Sequence, residues 1–122
     1  MQKFHLEDRD VKINDKTISI RIICEYEYES EEPIVEFESE AELKEYLNKF
    51  VTGEYSNLLI KVTVSFFDLK SFDYLSQVHV ISTKANEQLI ETVKDHLMIE
   101  TAINDLMDKL KRTYSALKEL FE

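Results

Sequence analysis

The sequence predicts an α+β fold: an antiparallel sheet of about five strands in the element order β-β-β-α-β-β-α, with a short central helix and a long C-terminal helical segment. Three observations lead there. Apolar and polar residues alternate over Thr17 to Glu29 and again over Leu58 to Val80, the period of strands buried on one face. Between these runs, Ser39-Glu-Ala-Glu42 has the Ser-x-x-Glu spacing of a helix capping box and opens an apolar stripe at helical spacing. From Ala85 to Phe121 no Gly or Pro interrupts a further helical pattern.

In chain order, Phe4 and Leu6 share one parity and Val11 and Ile13 the other, so the first strand should carry a bulge near Asp8 to Asp10. Asn14-Asp15-Lys16 supplies a hairpin turn. In the second strand Ile18, Ile20, Ile22, Cys24, Tyr26 and Tyr28 form the core face, opposite Arg21, Glu25, Glu27 and Glu29. Pro33 opens a short third strand, Ile34 to Glu38, because its missing N–H suits a strand start or an edge. The helix that starts at Ser39 places Leu43, Tyr46, Leu47, Phe50 and Val51 on one side and ends at Gly53, a residue suited to the left-handed position that closes helices. Leu58, Ile60, Val62, Val64 and Phe66 alternate as the fourth strand. Asp68 to Ser71 then turns, and Phe72, Tyr74, Val78 and Val80 alternate as the fifth, with His79 in phase with Leu75 and Ile81 as a partly covered sheet residue.

The segment 85–121, with Ser82 or Thr83 as its cap, carries two stripes. Leu89, Ile90, Val93 and Leu97 make the first; Ile103, Leu106, Leu110, Leu117 and Leu120 make the second, with Met107, Tyr114 and Phe121 beside them. At about 100° per residue the stripes are rotated by roughly a third of a turn. One unbroken helix would reach about 55 Å, against a radius of gyration near ~14 Å for a compact chain of this size. Either the segment breaks near 96–100 into two packed helices, or its second half projects and finds apolar cover on another subunit. Self-association through Ile103, Leu106, Leu110, Tyr114, Leu117 and Phe121, giving a homodimer, is the expectation.

The length of 122 residues sets one domain, 1–122, with one core. A single Gly excludes a glycine-rich phosphate cradle. No apolar run approaches the roughly 18 residues of a membrane span, the first residues lack an apolar signal region, and a lone cysteine in the apolar phase of a strand reads as a small buried hydrophobe. A cytoplasmic setting is expected. Richness in Ile, Lys, Glu, Asn and Tyr with almost no Gly or Pro is a composition found in AT-rich genomes, including those of phages.

Charge is the most unevenly distributed property. Residues 25–45 hold ten Glu against one Lys, a local charge of −9 in a chain of −10. On an extended strand Glu25, Glu27 and Glu29 recur about every 6.7 Å, and Glu31, Glu32, Glu36 and Glu38 continue the run. Such a ribbon fits a basic surface on a protein partner and speeds docking; the bland reading is a solvated face that discourages edge-to-edge pairing. The same field opposes direct nucleic-acid binding. These carboxylates do not converge as calcium ligands do, and no Asp-x-Asp-x-Asp-Gly loop is present. His96 and Glu100 share a helix face at metal-ligand spacing, but His5 and His79 fall on other elements and no further ligands complete a site. No Gly-x-Ser-x-Gly elbow or marked triad appears. The expected function is a small acidic protein-binding module, an inhibitor, immunity-type or adaptor protein without cofactor or metal, docking its ribbon on a basic partner. The alternative is an oligomeric structural or chaperone-like protein held by the C-terminal apolar stripe. A carboxylate-dependent enzyme is the third class, since abundant Glu conceals any special pair.

Overall fold

Two β-hairpins lie side by side and share one sheet. The structure, a computed structural model, describes residues 2–29 and 39–122. Strands β1 (Gln2–Ile13) and β2 (Lys16–Glu29) form the first hairpin, and β3 (Tyr55–Phe66) and β4 (Leu69–Ile81) the second. Antiparallel pairing of β2 with β3 joins them in the order β1-β2-β3-β4. Helix α1 (Glu40–Val51) separates the hairpins in sequence; α2 (Ala85–Asp95) and α3 (Met98–Phe121) follow β4. The α+β class stands, with corrections. Four strands, not about five, make the sheet among the described residues, and the C-terminal segment is two helices, so the order is β-β-α-β-β-α-α. The expected strand at 34–38 lies outside the described residues.

The alternation of β2 and β3 is answered by burial on one face. Ile20, Ile22 and Cys24 of β2 and Leu58, Ile60, Val62 and Val64 of β3 have no exposed surface. Leu89 and Val93 of α2 and Met98, Ile99, Ala102, Ile103 and Leu106 of α3 join them in one core. Each such aliphatic side chain contributes about 1.5–3 kcal/mol on burial, so this two-layer contact is the main source of stability. At the sheet's edge, β1 alternates exposed Lys3, His5, Asp8, Asp10 and Lys12 along its length, a charge pattern that resists addition of another strand.

The parity switch in β1 is answered by a bulge, and a second bulge, in β4, has no such sign in the sequence. In β1 the register shifts between His5 and Glu7, at Leu6 rather than near Asp8 to Asp10. Beyond that point Arg9 turns to the helix side, where it donates to Glu7 at 2.9 Å and to Glu100 of α3 at 3.2 Å. In β4, Leu75 pairs with Ile60 but Val78 with Leu58, so one extra residue is inserted and Gln77 takes φ +55°. An extra residue flips every following side chain to the other face. Phe72 and Tyr74 therefore point away from the helices, while Val78 and Val80 are core, and His79 lies beside Tyr55 with ring centroids 4.7 Å apart. Tyr28 is likewise exposed, whereas Tyr26 is buried with its hydroxyl donating to the Gln2 side chain.

Helix ends follow local chemistry only in part. The Glu42 N–H donates to Ser39 Oγ at 3.2 Å, the expected capping contact, and Gly53 adopts φ +78° just after α1. Leu43 of the expected apolar stripe is exposed. Neither Ser82 nor Thr83 caps α2 through its side chain; a 3-10 turn at Ser82–Lys84 leads in, and Gln88 Oε1 accepts the Ile81 N–H at 2.7 Å instead.

The C-terminal segment turns at His96 and Leu97. Leu97 sits in the left-handed region at φ 51°, ψ 38°, while its carbonyl accepts both the Thr101 N–H at 3.0 Å and the Thr101 hydroxyl at 2.9 Å. This reorientation lets the two rotated stripes reach the same sheet. Leu97 itself is exposed, so its left-handed backbone, costing on the order of 1 kcal/mol in an L-residue, has no packing return. Leu97→Gly is expected to raise the unfolding free energy by about 0.5–1 kcal/mol, readable as a higher midpoint in urea; a lowered midpoint would show that the Leu97 side chain matters to the junction.

A candidate interaction surface at the turn end of the sheet

The register places both hairpin turns, Asn14-Asp15 and Phe67-Asp68, at the same end of the sheet: Arg21 pairs with Ser65, so β2 and β3 approach their turns together. Helix α3 runs toward that end. Lys109 Nζ donates to the Lys70 carbonyl of β4 at 2.8 Å. Ser71 at the sheet, together with Lys109 and Arg112, holds the Asp105 carboxyl below its ordinary range against the opposing effect of burial. Beyond Leu110 the helix outruns the sheet, and every residue from 111 to 122 is exposed. The last eleven helical residues extend for about 16 Å at 1.5 Å each.

This overhang keeps its apolar stripe. Tyr114 is 67 % exposed, Leu117 50 %, Leu120 73 % and Phe121 82 %, and at the neighbouring turn Phe67 is 87 % exposed. Scattered exposed apolar residues are ordinary, but a contiguous set amounting to several hundred Å² marks an interaction site. Phe67 adds a second sign. It holds φ +52° at the tip of its turn, where Asn or Gly would be unstrained and a bulky side chain is rare. Its ring touches only Phe66 edge-on, at 4.7 Å between centroids, among the ring contacts of the described residues.

A groove of about 590 Å³ opens between the end of β1 and α3, walled by Val11, Ile13, Met107, Leu110 and Tyr114, with Lys12 and Lys111 on its rim. Tyr114 belongs to both groove and overhang, so the two form one surface. The self-association stripe is thereby divided. Ile103 and Leu106 face the protein's own sheet and are buried, and Leu110 is half-buried against the same core. They are not available to a second subunit, because the sheet is long enough to cover α3 up to that point. Tyr114, Leu117 and Phe121 remain outside it, with Leu120 beside them and Val11 and Ile13 across the groove; Phe67 is a separate exposed ring at the β3–β4 turn. The signal for Phe67 was the Phe66-Phe67 doublet directly before Asp68: two adjacent aromatics cannot both face the core of one strand.

The acidic ribbon is only partly in view. Glu31, Glu32, Glu36 and Glu38, and the Glu29 side chain, lie outside what the structure describes. Glu25 and Glu27 are on the face away from the helices, with Glu25 directly between Lys3 of β1 and Lys61 of β3. Lys61 also stands over the rings of Phe72 and Tyr74, at 4.2 and 5.5 Å from their centroids. Glu25 thus sits in a row of compensating charge, while Glu27 faces Leu59 across the pair and is exposed. Exposed Glu40, Glu42 and Glu45 on α1 carry the negative charge further.

The other candidates do not assemble. His96 is at the α2–α3 junction, and Glu100, one turn into α3, is taken by Arg9. His5 pairs with Asp8 at 2.8 Å, and burial pushes His79 below its ordinary value. Among the described residues no group of three or more His, Cys, Asp or Glu side chains stands close enough to hold a metal ion, and no helix is long and apolar enough to cross a membrane. The chain matches no protein-family model, no curated protein and no solved structure.

Proposed function

We propose that this protein is a self-associating, chaperone-like or structural binding module that holds other polypeptide surfaces by apolar contact at the turn end of its sheet. The observation that carries the reading is the division of one helix: α3 spends its first half on the protein's own core and presents Tyr114, Leu117, Leu120 and Phe121 to solvent beyond it. Desolvating those side chains is worth about 25 cal/mol per Å² of apolar surface, and nothing among the described residues draws on it. The strained, exposed Phe67 supports the same reading. Such a module needs no cofactor and turns over no substrate, and its acidic charge serves solubility.

The test is protection of a chemically unfolded protein from aggregation on dilution, followed by light scattering. The native chain is expected to suppress scattering. A variant carrying Leu117→Ser, Leu120→Ser and Phe121→Ser is expected to lose most of that effect while its urea midpoint changes little, since all three positions are exposed. Equal protection by the variant would remove the overhang from the function.

The confinement of −9 charge to residues 25–45 favours a second reading, in which Glu27 and the exposed acids of α1 dock an inhibitor or adaptor on a basic protein partner. The two separate by salt. Docking through carboxylates weakens as screening lengths fall well below ~10 Å in about 0.5 M salt, whereas apolar association persists. Charge reversal of Glu25, Glu27 and Glu29 to Lys should abolish docking through carboxylates and leave apolar association.

A further inference from the structure

We infer that the occupant of the groove between β1 and α3 is the α3 overhang of a second copy of this chain, in a reciprocal antiparallel pair. The inference rests on the reading of the turn end as an apolar contact surface, and it names the partner and the seat. Area is the first argument. Two aromatic side chains of 150–250 Å² each, with two leucines, leave on the order of 500 Å² of overhang surface exposed, against about 800 Å² that each partner contributes to a stable interface. Each chain's own groove walls, Val11, Ile13, Met107 and Leu110, add their exposed parts to that contribution.

Self-complementarity is the second. Groove and overhang share Tyr114 and lie on one continuous surface, so a twofold axis between residues 115 and 116 seats both copies at once, as an isologous contact requires. In that register Leu117 of each copy meets Tyr114 of the other, and Phe121 meets Leu110 deep in the groove. Both pairs join residues of the exposed or half-exposed stripe, and neither demands anything of the buried Ile103 and Leu106.

Charge is the third. The groove rim carries Lys12 and Lys111, while the end of the overhang carries Glu122, which Lys118 of its own helix reaches at 3.8 Å; Glu119, two residues from both Leu117 and Phe121, lies on the opposite face of the helix. Antiparallel docking sets the acidic end of each helix at the basic rim of the other groove, with Glu122 one turn or less from Lys111. Opposite charges at such a rim fix register, and like charges placed there penalise the pair.

Reversal of charge tests the arrangement on the full chain by light scattering of size-separated protein. One variant carries Lys12→Glu and Lys111→Glu, which makes both rim and tail acidic; the other carries Glu122→Lys, which makes both basic. All three positions are exposed, and circular dichroism verifies that each variant is folded. The native chain is expected to have twice the monomer mass, each variant alone to dimerise at least tenfold more weakly, and an equimolar mixture to regain the native dimer, because each groove then meets a tail of opposite charge. A native chain that stays monomeric overturns the inference, as does a dimer indifferent to both reversals or a mixture that fails to recover. A monomeric native chain that still protects an unfolded client would leave the proposed function standing and remove only the second copy; a dimer without client protection would do the reverse.

Discussion

Leu106→Ser is expected to lower the unfolding free energy by about 4 kcal/mol, a large share of the roughly 5–15 kcal/mol that holds a domain together, whereas Leu117→Ser, three turns further along the same stripe, changes it by no more than about 0.5 kcal/mol. The two residues have the same side chain in the same helix and differ in what lies beneath them. Leu106 has no exposed surface and packs in the core with the sheet. Its truncation forfeits the transfer free energy and leaves a cavity, about 2–5 kcal/mol for Leu→Ala, and the serine hydroxyl adds the cost of an unpartnered polar group in that space. Leu117 is half exposed beyond the end of the sheet, where substitutions have small effects on folding. Urea unfolding at protein concentrations too low for association measures both, with the slope checking that each transition stays two-state. Equal losses at the two positions would show that the overhang packs on its own domain, and would undo its role as a contact surface.

Cys24 is expected to be silent toward thiol reagents in the folded protein and to report on global opening. The side chain is fully buried in β2, and burial, with a smaller contribution from Glu25, pushes its thiol pKa up to about 12 from 9.0. The nucleophile is the thiolate, so at neutral pH both access and ionisation are withheld. Reaction is expected at least ~10³-fold slower than for an unfolded chain, at a rate set by the opening equilibrium of the central strands. A rate near that of a free cysteine would mean that β2 opens locally and is not the centre of the core.

The same shift makes stability fall at high pH. Between about pH 9 and 12 the unfolded chain releases the Cys24 proton and the folded chain retains it. Fewer protons are then bound in the unfolded state, the slope of stability against pH is negative, and each pH unit costs up to about 1.4 kcal/mol. Below pH 9 the thiol is protonated in both states and contributes no slope. Cys24→Ala should show a flatter profile in that window than the native chain; parallel profiles would place the alkaline loss elsewhere.

What could be read from residues alone was whatever depends on neighbours in sequence. Alternation at Ile18 to Tyr26 and at Leu58 to Phe66, the capping box at Ser39 and the turn at Asn14-Asp15 are patterns of a few residues, set by the pleat of a strand or the free amides of a helix start, and they appear where the pattern put them. The rotation between the Leu89 and Leu106 stripes left two outcomes open, a break near 96–100 or a projecting second half, and the structure has the break. No Gly marks the change, however, and it is Leu97 that takes the left-handed turn, a choice made by the packing of two helices on one sheet against local preference.

Tertiary structure decided the rest, for the reason that position along a pattern does not say where the opposing surface ends. The exact place of the extra residue in β1, at Leu6, and the existence of the one at Gln77 are visible only in the register of paired strands, and the second of them put Phe72 and Tyr74 on one face and Val78 and Val80 on the other. The stripe from Ile103 to Phe121 is uniform in the sequence, yet the sheet covers it to about Leu110 and no further. The sequence by itself determined an amphipathic helix, an acidic segment and a half-buried sheet. Only the finite length of that sheet determined which part of the apolar stripe is core and which part is left exposed.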